Sequence, residues 1–251
     1  MGVIQLKRMQ VNTASLRLAS GYILQTESLL TETFMAVFLL VCLVFFFSVN
    51  VHNILVGQRF RRVEKAYAEV ERPAGFVMSL AAIGTMVYFL EVLSYLLLVF
   101  TGLTFAVYDF PFLFQLPPMF AMQVTGLVFT SAGYCLFVWS VIVRGRYAVS
   151  WEMPTSQRLI TFGPYRYVRH PSYLGYFLMF LGLLFLWPNM FTVFPLIAIP
   201  GYCYVTLSEE RLLIQRFGDE YISYQRKTGR FIPKFRSTST PKQNYVEAPS
   251  V

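Results

Sequence analysis

Residues 33–56 read TFMAVFLLVCLVFFFSVNVHNILV, an apolar run that contains no Asp, Glu, Lys or Arg. A helix needs about 20 predominantly apolar residues to cross the hydrocarbon core of a bilayer. Because that core holds no water, a spanning backbone must satisfy its own hydrogen bonds, as a helix does. Residues 33–56 therefore predict a transmembrane helix in an integral membrane protein.

Four further apolar runs follow. Two are long, Gly75–Phe100 and Met119–Val143, and two are short and nearly contiguous, Tyr173–Trp187 and Met190–Leu207. The last run contains two prolines, which interrupt helical hydrogen bonding and bend a helix. We therefore predict an all-α integral membrane helical bundle of about five transmembrane helices, in which the last two form a kinked hairpin that turns at Trp187-Pro188-Asn189.

The composition supports this fold class. Of the 251 residues, 56% are hydrophobic and only 14% are charged. A soluble domain is about 25% charged, so this chain has too few charges to cover a surface that faces water. We predict a single membrane domain over residues 1–236, followed by a polar tail, 237–251, that is expected to be disordered.

Basic residues predict the orientation. The loops Gly57–Arg72 and Arg144–Arg169 carry five Lys or Arg each, whereas Thr101–Pro118, interpreted as a loop or re-entrant segment, carries none. Since cytoplasmic loops are enriched in Lys and Arg, the two basic loops and the basic C-terminus are predicted to be cytoplasmic. The net charge of +8 then suits the anionic cytoplasmic leaflet, so membrane lipids are expected partners and nucleic acid is not. With two histidines and no paired cysteines, no metal site is expected.

The last span is predicted to continue beyond the membrane. Ser208–Phe217 extends it as a helix, Gly218 is a candidate C-cap, and Asp219 restarts the helix. An apolar stripe at helical spacing follows, formed by Leu213, Phe217, Tyr221 and Tyr224. We expect this cytoplasmic C-terminal helix to fold back against the loop Thr155–Tyr173, which would bring the two polar segments together.

The stretch Gln157–Gly175 reads QRLITFGPYRYVRHPSYLG. It combines cationic donors suited to an anionic group with flat aromatic faces suited to a heterocycle. The same composition is also typical of a basic and aromatic belt at a membrane interface. Farther along, Gly175 and Gly182 lie seven residues apart on one helix face, where a backbone or a ligand can approach closely.

Acidic residues at the end of one predicted span and inside another are further candidate functional residues. Glu209 and Glu210 end the last span, where carboxylates either line a cavity or mark the point at which the helix reaches water. Adjacent helix positions diverge by about 100°, so we expect the two to have different roles. Glu91 is the only acid well inside a predicted span, with Tyr88 and Tyr95 near it on the helix. Two interpretations are open: substrate or proton handling, or a snorkelling or neutral carboxyl that is hydrogen-bonded to a tyrosine.

Three short motifs follow one another in the second half of the chain. They are LITFGPY at 159–165, RHPSYLG at 169–175, and EERL with FGDEY and a further tyrosine at 209–224. Over Gln157–Pro233 the chain resembles the isoprenylcysteine carboxyl methyltransferase family of integral-membrane enzymes. The resemblance implies a transferase that uses S-adenosylmethionine, bound in a cytoplasm-facing part within residues 150–236. It implies a lipophilic or lipid-attached acceptor, such as the carboxylate of an isoprenylated cysteine.

The resemblance also implies which residues bind the cofactor, although it assigns no catalytic residue. These are Gln157, Arg158, Leu159, Ile160, Tyr165, His170, Pro171, Ser172, Tyr173 and Glu209. Glu209 is expected to bind the ammonium of the methionine moiety, and His170 to donate to its carboxylate or to a ribose hydroxyl. Tyr165 or Tyr173 is expected to stack on adenine. Arg169 is expected to be a structural clamp on a carboxylate such as Glu210.

Alternatives remain open at this point. Eukaryotic members carry an arginine one turn before the acidic pair, thought to hold the substrate carboxylate, and here that position is Val205. A phospholipid-amine or other small-acceptor methyltransferase, such as a prokaryotic relative, is therefore an alternative. Membrane sterol reductases, which bind NADPH, typically show Asn at the Ser172 position and an acid where this chain has Tyr176. A non-enzymatic carrier would spread polar residues through several spans.

Overall fold

The computed structural model describes residues 31–63, 67–68, 75–103, 119–145, 153–154 and 158–234. Several parts of the sequence predictions lie outside these ranges. They are residues 1–30 of the predicted domain, parts of the two basic loops, most of the segment Thr101–Pro118, the residue Gln157, and the tail 237–251. The described ranges contain six α-helices: α1 (Glu32–Val63), α2 (Gly75–Phe100), α3 (Met119–Arg144), α4 (Pro171–Leu186), α5 (Ala198–Phe217) and α6 (Asp219–Lys227). They also contain two 3₁₀ helices, Gly163–Arg166 and Phe191–Ile197, and one antiparallel pair of two-residue strands, β1 (Tyr67–Ala68) and β2 (Met153–Pro154).

The predicted helical membrane bundle is confirmed. Within the described ranges, four helical segments are long and apolar enough to cross a membrane: Glu32–Gly57, Gly75–Phe100, Phe120–Arg144 and Phe191–Phe217. The remaining apolar helix, α4, has 16 residues. At 1.5 Å per residue it is about 24 Å long, shorter than a hydrocarbon core of about 30 Å. The count of five spans therefore stays a prediction.

The close packing of α4 on α3 explains the predicted glycine face. A Cβ atom at Gly133 would lie 2.8 Å from the Gly175 carbonyl oxygen, and one at Gly175 would lie 2.9 Å from the Gly133 carbonyl oxygen. A Cβ at Gly182 would lie 2.7 Å from the backbone nitrogen of Thr130. The predicted close approach at Gly175 and Gly182 is confirmed, and it fixes α4 directly against α3.

The hairpin turn between α4 and α5 is built by one buried side chain. Asn189 Oδ1 accepts hydrogen bonds from the backbone nitrogens of Phe191 and Thr192, and its Nδ2 donates to the Trp187 carbonyl oxygen 3.0 Å away. The second 3₁₀ helix, which contains Pro195, then leads into α5. The predicted kinked hairpin at Trp187-Pro188-Asn189 is confirmed.

The C-terminal part folds back as predicted. Helix α5 ends at Phe217, where Gly218 takes a positive φ of 52° and its N–H donates to the Ile214 carbonyl. Helix α6 starts at Asp219 and buries Tyr221 and Tyr224, while Leu213 and Phe217 of the predicted stripe are half-buried. Because φ in this range favours glycine, Gly218 can turn the chain without strain.

The chain after α6 joins the segment before α4. The N–H of Arg169 donates to the Gly229 carbonyl at 2.9 Å, and that of His170 donates to the Arg230 carbonyl at 3.1 Å. Val168 and Gly229 form a parallel β-bridge. The two polar segments of the second half thereby meet at the junction of α4 and α5.

Candidate functional site

Glu210 is the central residue of the junction between α4 and α5, because its carboxylate pairs with several side chains there. Its side chain is only 6% exposed, and Arg169 Nε lies 2.9 Å from Oε1 while Arg230 Nη2 lies 2.9 Å from Oε2. Gln225 Nε2 donates to Oε2 at 3.1 Å. The predicted clamp of Arg169 on Glu210 is confirmed, and charge-assisted hydrogen bonds of this kind are the stronger ones in proteins.

Arg169 also reaches the end of α6. Its Nη1 donates to the carbonyl oxygens of Gln225 and Thr228. One guanidinium therefore ties the start of α4, the end of α5 and the C-terminal turn of α6 together. With its donors directed at these groups, Arg169 is a structural residue of the site.

His170 lies between the two acids. Its Nδ1 is 3.4 Å from Glu209 Oε2, and its Nε2 is 3.2 Å from Glu210 Oε1. Burial by itself lowers the pKa of His170, but hydrogen bonds to Glu209 and Glu210 and their charges raise it overall. Each ring nitrogen of the imidazole therefore faces one of the two carboxylates.

Glu209 and Glu210 have different surroundings, as the helix geometry predicts. The Tyr173 hydroxyl donates to Glu209 Oε1 at 2.7 Å, and the Glu209 side chain is 17% exposed. Glu210 is the more deeply buried of the two, and it forms ion pairs with Arg169 and Arg230. Of the pair, Glu209 is the carboxylate that a ligand can reach.

Four stacked aromatic rings, here called the ring ladder, extend from Tyr173 beside Glu209 into the helical bundle. Tyr173 stacks on Tyr202 with centroids 4.7 Å apart, and Tyr202 stacks on Tyr176 at 5.4 Å. Tyr176 stacks in turn on Phe180 at 6.0 Å. Tyr202 was missed in the sequence, because a tyrosine inside an apolar run is indistinguishable from a core residue until its neighbours are known.

Tyr165 is buried beneath the site. Its hydroxyl lies 3.5 Å from the Ser140 carbonyl oxygen in α3, and its own carbonyl accepts a hydrogen bond from the Tyr224 hydroxyl. Burial raises the pKa of the Tyr165 phenol, and the nearby Arg144 guanidinium offsets part of that rise. Tyr165 therefore joins α3, the first 3₁₀ helix and α6.

The other predicted cofactor residues lie around this cluster. Pro171 and Ser172 are buried in the first turn of α4, Leu159 and Ile160 are half-buried, and Arg158 is exposed. Leu159 borders a surface cleft of about 1200 Å³. The cleft is lined mainly by polar and charged residues of the 159–166 segment and α6, together with Lys234, and not by His170, Tyr173 or Glu209. The structure thus brings three of the predicted residues into direct contact and places Leu159 at a separate opening.

Glu91 is buried in α2, with 8% of its surface exposed. The described residues supply no hydrogen-bond partner for either of its carboxylate oxygens. The Tyr88 hydroxyl donates instead to Tyr134 in α3. The hydrogen bond to a tyrosine that one interpretation of Glu91 expected is therefore not formed within the described ranges.

The groups around Glu209 are suited to binding a ligand that carries a positive charge and a flat ring. A partly accessible carboxylate can bind a cationic group, stacked rings can hold a flat heterocycle, and the apolar ladder can exclude water. Within the residues that the structure describes, no group of three or more His, Cys, Asp or Glu side chains could hold a metal ion. The Glu209 carboxylate and the stacked rings beside it are suited to an organic cationic ligand.

Comparison with known families agrees with the location of this site. Residues 121–220 match the family model described as Phospholipid methyltransferase. The match begins well before Gln157, where the resemblance seen in the sequence starts, and takes in most of α3. Helix α3, which packs against α4 and Tyr165, thus belongs to the matched region.

Similar proteins include several named Protein-S-isoprenylcysteine O-methyltransferase. The protein of Schizosaccharomyces pombe is 39% identical over 77 residues, which are 30% of this chain and 33% of that protein. Those of Mus musculus and Homo sapiens are each 30% identical, over 117 and 125 residues, which are 45% of this chain and 41% of those proteins. The matches cover about a third to two-fifths of these relatives, and over that part the resemblance seen in the sequence is confirmed.

Proposed function

We propose that this chain, whose residues 121–220 match the phospholipid methyltransferase family model, is an integral-membrane enzyme that transfers a methyl group from S-adenosylmethionine to a lipophilic acceptor. The observation that carries the proposal is the environment of Glu209. This carboxylate is partly exposed, bonded to Tyr173 and set at the top of a ladder of stacked rings.

The residues present fit this cofactor. Glu209 is an acid suited to the ammonium of the methionine half, and the face of Tyr173 or of a neighbouring ring suits adenine. When bound, S-adenosylmethionine supplies an electrophilic methyl group on a sulfonium. The further cofactor residues in this proposal are Gln157, Arg158, Leu159, Ile160, Tyr165, His170, Pro171 and Ser172.

The chain's own contribution is positioning. Methyl transfer is an in-line displacement, so alignment of the reacting groups and exclusion of water account for most of the rate. The ion pairs of Glu210 fix α5 against α4, and this holds Glu209 and Tyr173 in register. The closely stacked aromatic rings below Glu209 exclude water from this side of the site.

For the acceptor, we propose the carboxylate of an isoprenylated cysteine, the group named in the relatives. A carboxylate attacks without a general base. Among the described residues, His170 lies beside Glu209 and has a carboxylate at each ring nitrogen. The name of the family that matches residues 121–220 favours a second candidate, a phospholipid amine. An amine must lose a proton first, and Val205, where eukaryotic relatives carry an arginine, keeps this second acceptor open.

The orientation is part of the proposal. The basic loops and the basic C-terminal region support a cytoplasmic position for the α4–α6 junction, in the plasma or inner membrane or in the endoplasmic reticulum. The cofactor would then enter from the cytoplasm, and the acceptor from the bilayer.

Calorimetry on the detergent-purified protein tests the central claim. S-adenosylmethionine should bind to the wild type and should bind at least tenfold more weakly to Glu209→Ala, because loss of a charge-assisted contact costs about 1.5–3 kcal/mol. Glu220→Ala in α6, an exposed acid, is the matched control. Heat from NADPH and none from S-adenosylmethionine would overturn the proposal. A methyl-transfer assay with farnesylcysteine analogues and with phosphatidylethanolamine then decides the acceptor.

A further inference from the structure

We infer that Tyr202, in α5, is a positioning residue of the cofactor site, whose ring holds Tyr173 in the orientation that keeps the Tyr173 hydroxyl on Glu209. The inference rests on the proposed function and adds to it a residue outside the three sequence motifs that carry the resemblance. Tyr202 acts on the cofactor through Tyr173, which is the group that contacts the Glu209 carboxylate.

The ring of Tyr202 stacks on two rings of α4. Tyr173 and Tyr176 are three residues apart, so their side chains lie on one face of that helix in successive turns. The centroid of the Tyr202 ring is 4.7 Å from that of Tyr173 and 5.4 Å from that of Tyr176, with interplanar angles of 28° and 8°. Stacked aromatic pairs attract each other beyond the burial of their area. One side chain of α5 therefore fixes the rings of two turns of α4.

The hydroxyl of Tyr202 is anchored to a third helix. It lies 2.8 Å from Thr85 Oγ1 in α2, and Thr85 Oγ1 in turn donates to the Ala81 carbonyl oxygen at 2.8 Å. A hydroxyl has one proton to donate, so the Tyr202 hydroxyl is the donor in its bond to Thr85. This bond fixes the far end of the Tyr202 ring, and the residue thereby joins α2, α4 and α5.

The backbones of α2 and α5 meet beside this hydrogen bond. A Cβ at Gly201, the residue before Tyr202, would lie 2.8 Å from the backbone nitrogen of Ala81. A Cβ at Gly84 would lie 2.7 Å from the Cβ of Ala198. Helices in such close contact have little freedom to slide, because the atoms that meet are largely backbone. The backbone contacts therefore fix the point from which the Tyr202 ring extends.

The hydroxyl of Tyr173 is one of two groups that orient Glu209. It donates to Oε1 at 2.7 Å, while His170 Nδ1 lies 3.4 Å from Oε2. A glutamate side chain has several rotatable bonds, and ordering them when a ligand binds costs entropy. Since Tyr202 holds the Tyr173 ring, it keeps Glu209 ordered before the cofactor arrives. A group that is ordered in advance binds its ligand more tightly.

A double-mutant cycle tests this role by calorimetry with S-adenosylhomocysteine, which keeps the amino-acid half of the cofactor. Tyr202→Leu removes the stacked ring, so the Kd should rise about fivefold. In the background of Tyr173→Phe, which keeps the Tyr173 ring and lacks its hydroxyl, Tyr202→Leu should change the Kd by less than about twofold. A general loosening of the fold would instead weaken binding equally in both backgrounds.

The conservative variant separates the ring from the hydroxyl. Tyr202→Phe keeps the stacked ring and loses the bond to Thr85, so its Kd should stay within about twofold of that of the wild type. Tyr204→Leu is the matched control, because Tyr204 is on the same helix and its side chain is 60% exposed. It should bind S-adenosylhomocysteine like the wild type. If Tyr202→Leu does not fold, Tyr202→Met carries the same comparison, since methionine fills irregular gaps.

Three results would overturn the inference. They are an unchanged Kd in Tyr202→Leu, an equal rise of the Kd in the wild-type and Tyr173→Phe backgrounds, and a loss in Tyr202→Phe as large as that in Tyr202→Leu. A wild-type protein that binds no S-adenosylhomocysteine would overturn the proposed function itself, a result separate from any effect of Tyr202.

Discussion

Arg169 and Glu210 form a buried ion pair, with Nε 2.9 Å from Oε1 and side chains that are 9% and 6% exposed. The pair joins the residue two before the start of α4 to a residue about two turns before the end of α5. It leaves the neighbouring Glu209 as the acid that a ligand can reach. The two adjacent carboxylates thereby have separate roles: Glu210 stabilises the fold, and Glu209 binds the ligand.

Loss of this pair should destabilise the protein strongly. Arg169→Gln leaves Glu210 buried with Arg230 as its one remaining arginine, and breaking a buried pair by removing one partner costs about 3–5 kcal/mol. We expect a clear fall in the melting temperature in detergent, measured by intrinsic fluorescence. Arg211→Gln, at an exposed position of α5, should melt like the wild type. Equal melting temperatures for Arg169→Gln and the wild type would contradict the structural role of the pair.

The two acids should separate stability from binding. Glu210→Gln removes the charge that both arginines face, so we expect a lowered melting temperature. Glu209→Gln keeps a hydrogen-bond acceptor for Tyr173, so its melting temperature should stay near that of the wild type while S-adenosylmethionine binding weakens about tenfold or more. Thermal melts and calorimetry on both variants check this. Similar profiles for the two variants would contradict the division of roles.

Much of this arrangement was predictable because its causes are local. Apolar runs longer than a turn or two must be buried or placed in lipid, so helices such as α1 and α2 follow from composition. Gly218 at the end of α5 and Asp219 at the start of α6 are end and start signals that act on their own segments. The clamp of Arg169 on Glu210 was predictable from charge, because a buried acid requires a cation.

The rest depends on contacts between distant segments. The packing of the first 3₁₀ helix on the last turn of α3, where a Cβ at Gly163 would lie 2.9 Å from Cγ2 of Val143, joins two segments that are separate in the sequence. Tyr202 lies in an apolar run and is recognisable as part of the ladder only beside Tyr173 and Tyr176. The position of His170 between two acids likewise depends on the meeting of α4 with α5.

The stability of the protein should fall with rising pH because of His170. Its pKa in the folded protein is raised by Glu209 and Glu210 despite burial. A group with a raised pKa stabilises fully below its unfolded pKa, about 6.5 for histidine, and this contribution is lost as the pH rises through the folded pKa. The melting temperature of the wild type should therefore drop from about pH 6.5 upward relative to that of His170→Gln. Parallel curves for the two proteins would contradict this assignment.

The contact between α3 and α4 should not tolerate a methyl group. Gly175→Ala places a Cβ about 2.9 Å from the Gly133 carbonyl oxygen, and backbone cannot move aside as a flexible side chain can. Overpacking of this kind costs about 1–3 kcal/mol, so the melting temperature should fall. Gly75→Ala is the matched control, since nothing lies within 4 Å of its Cβ position. Equal melting temperatures for the two variants would show that the helices can separate at no cost.

Glu91 offers the opposite case, in which a substitution should stabilise. Its carboxylate oxygens are buried without a hydrogen-bond partner among the described residues, and a buried unpaired polar group costs about 1–3 kcal/mol. Leucine has a similar volume and no polar atom, so Glu91→Leu should raise the melting temperature. Its methyl-transfer activity should be measured in parallel. A gain in stability with a loss of activity would support the interpretation of Glu91 as a residue for substrate or proton handling. A lowered melting temperature would contradict the prediction and indicate that the carboxylate has a partner.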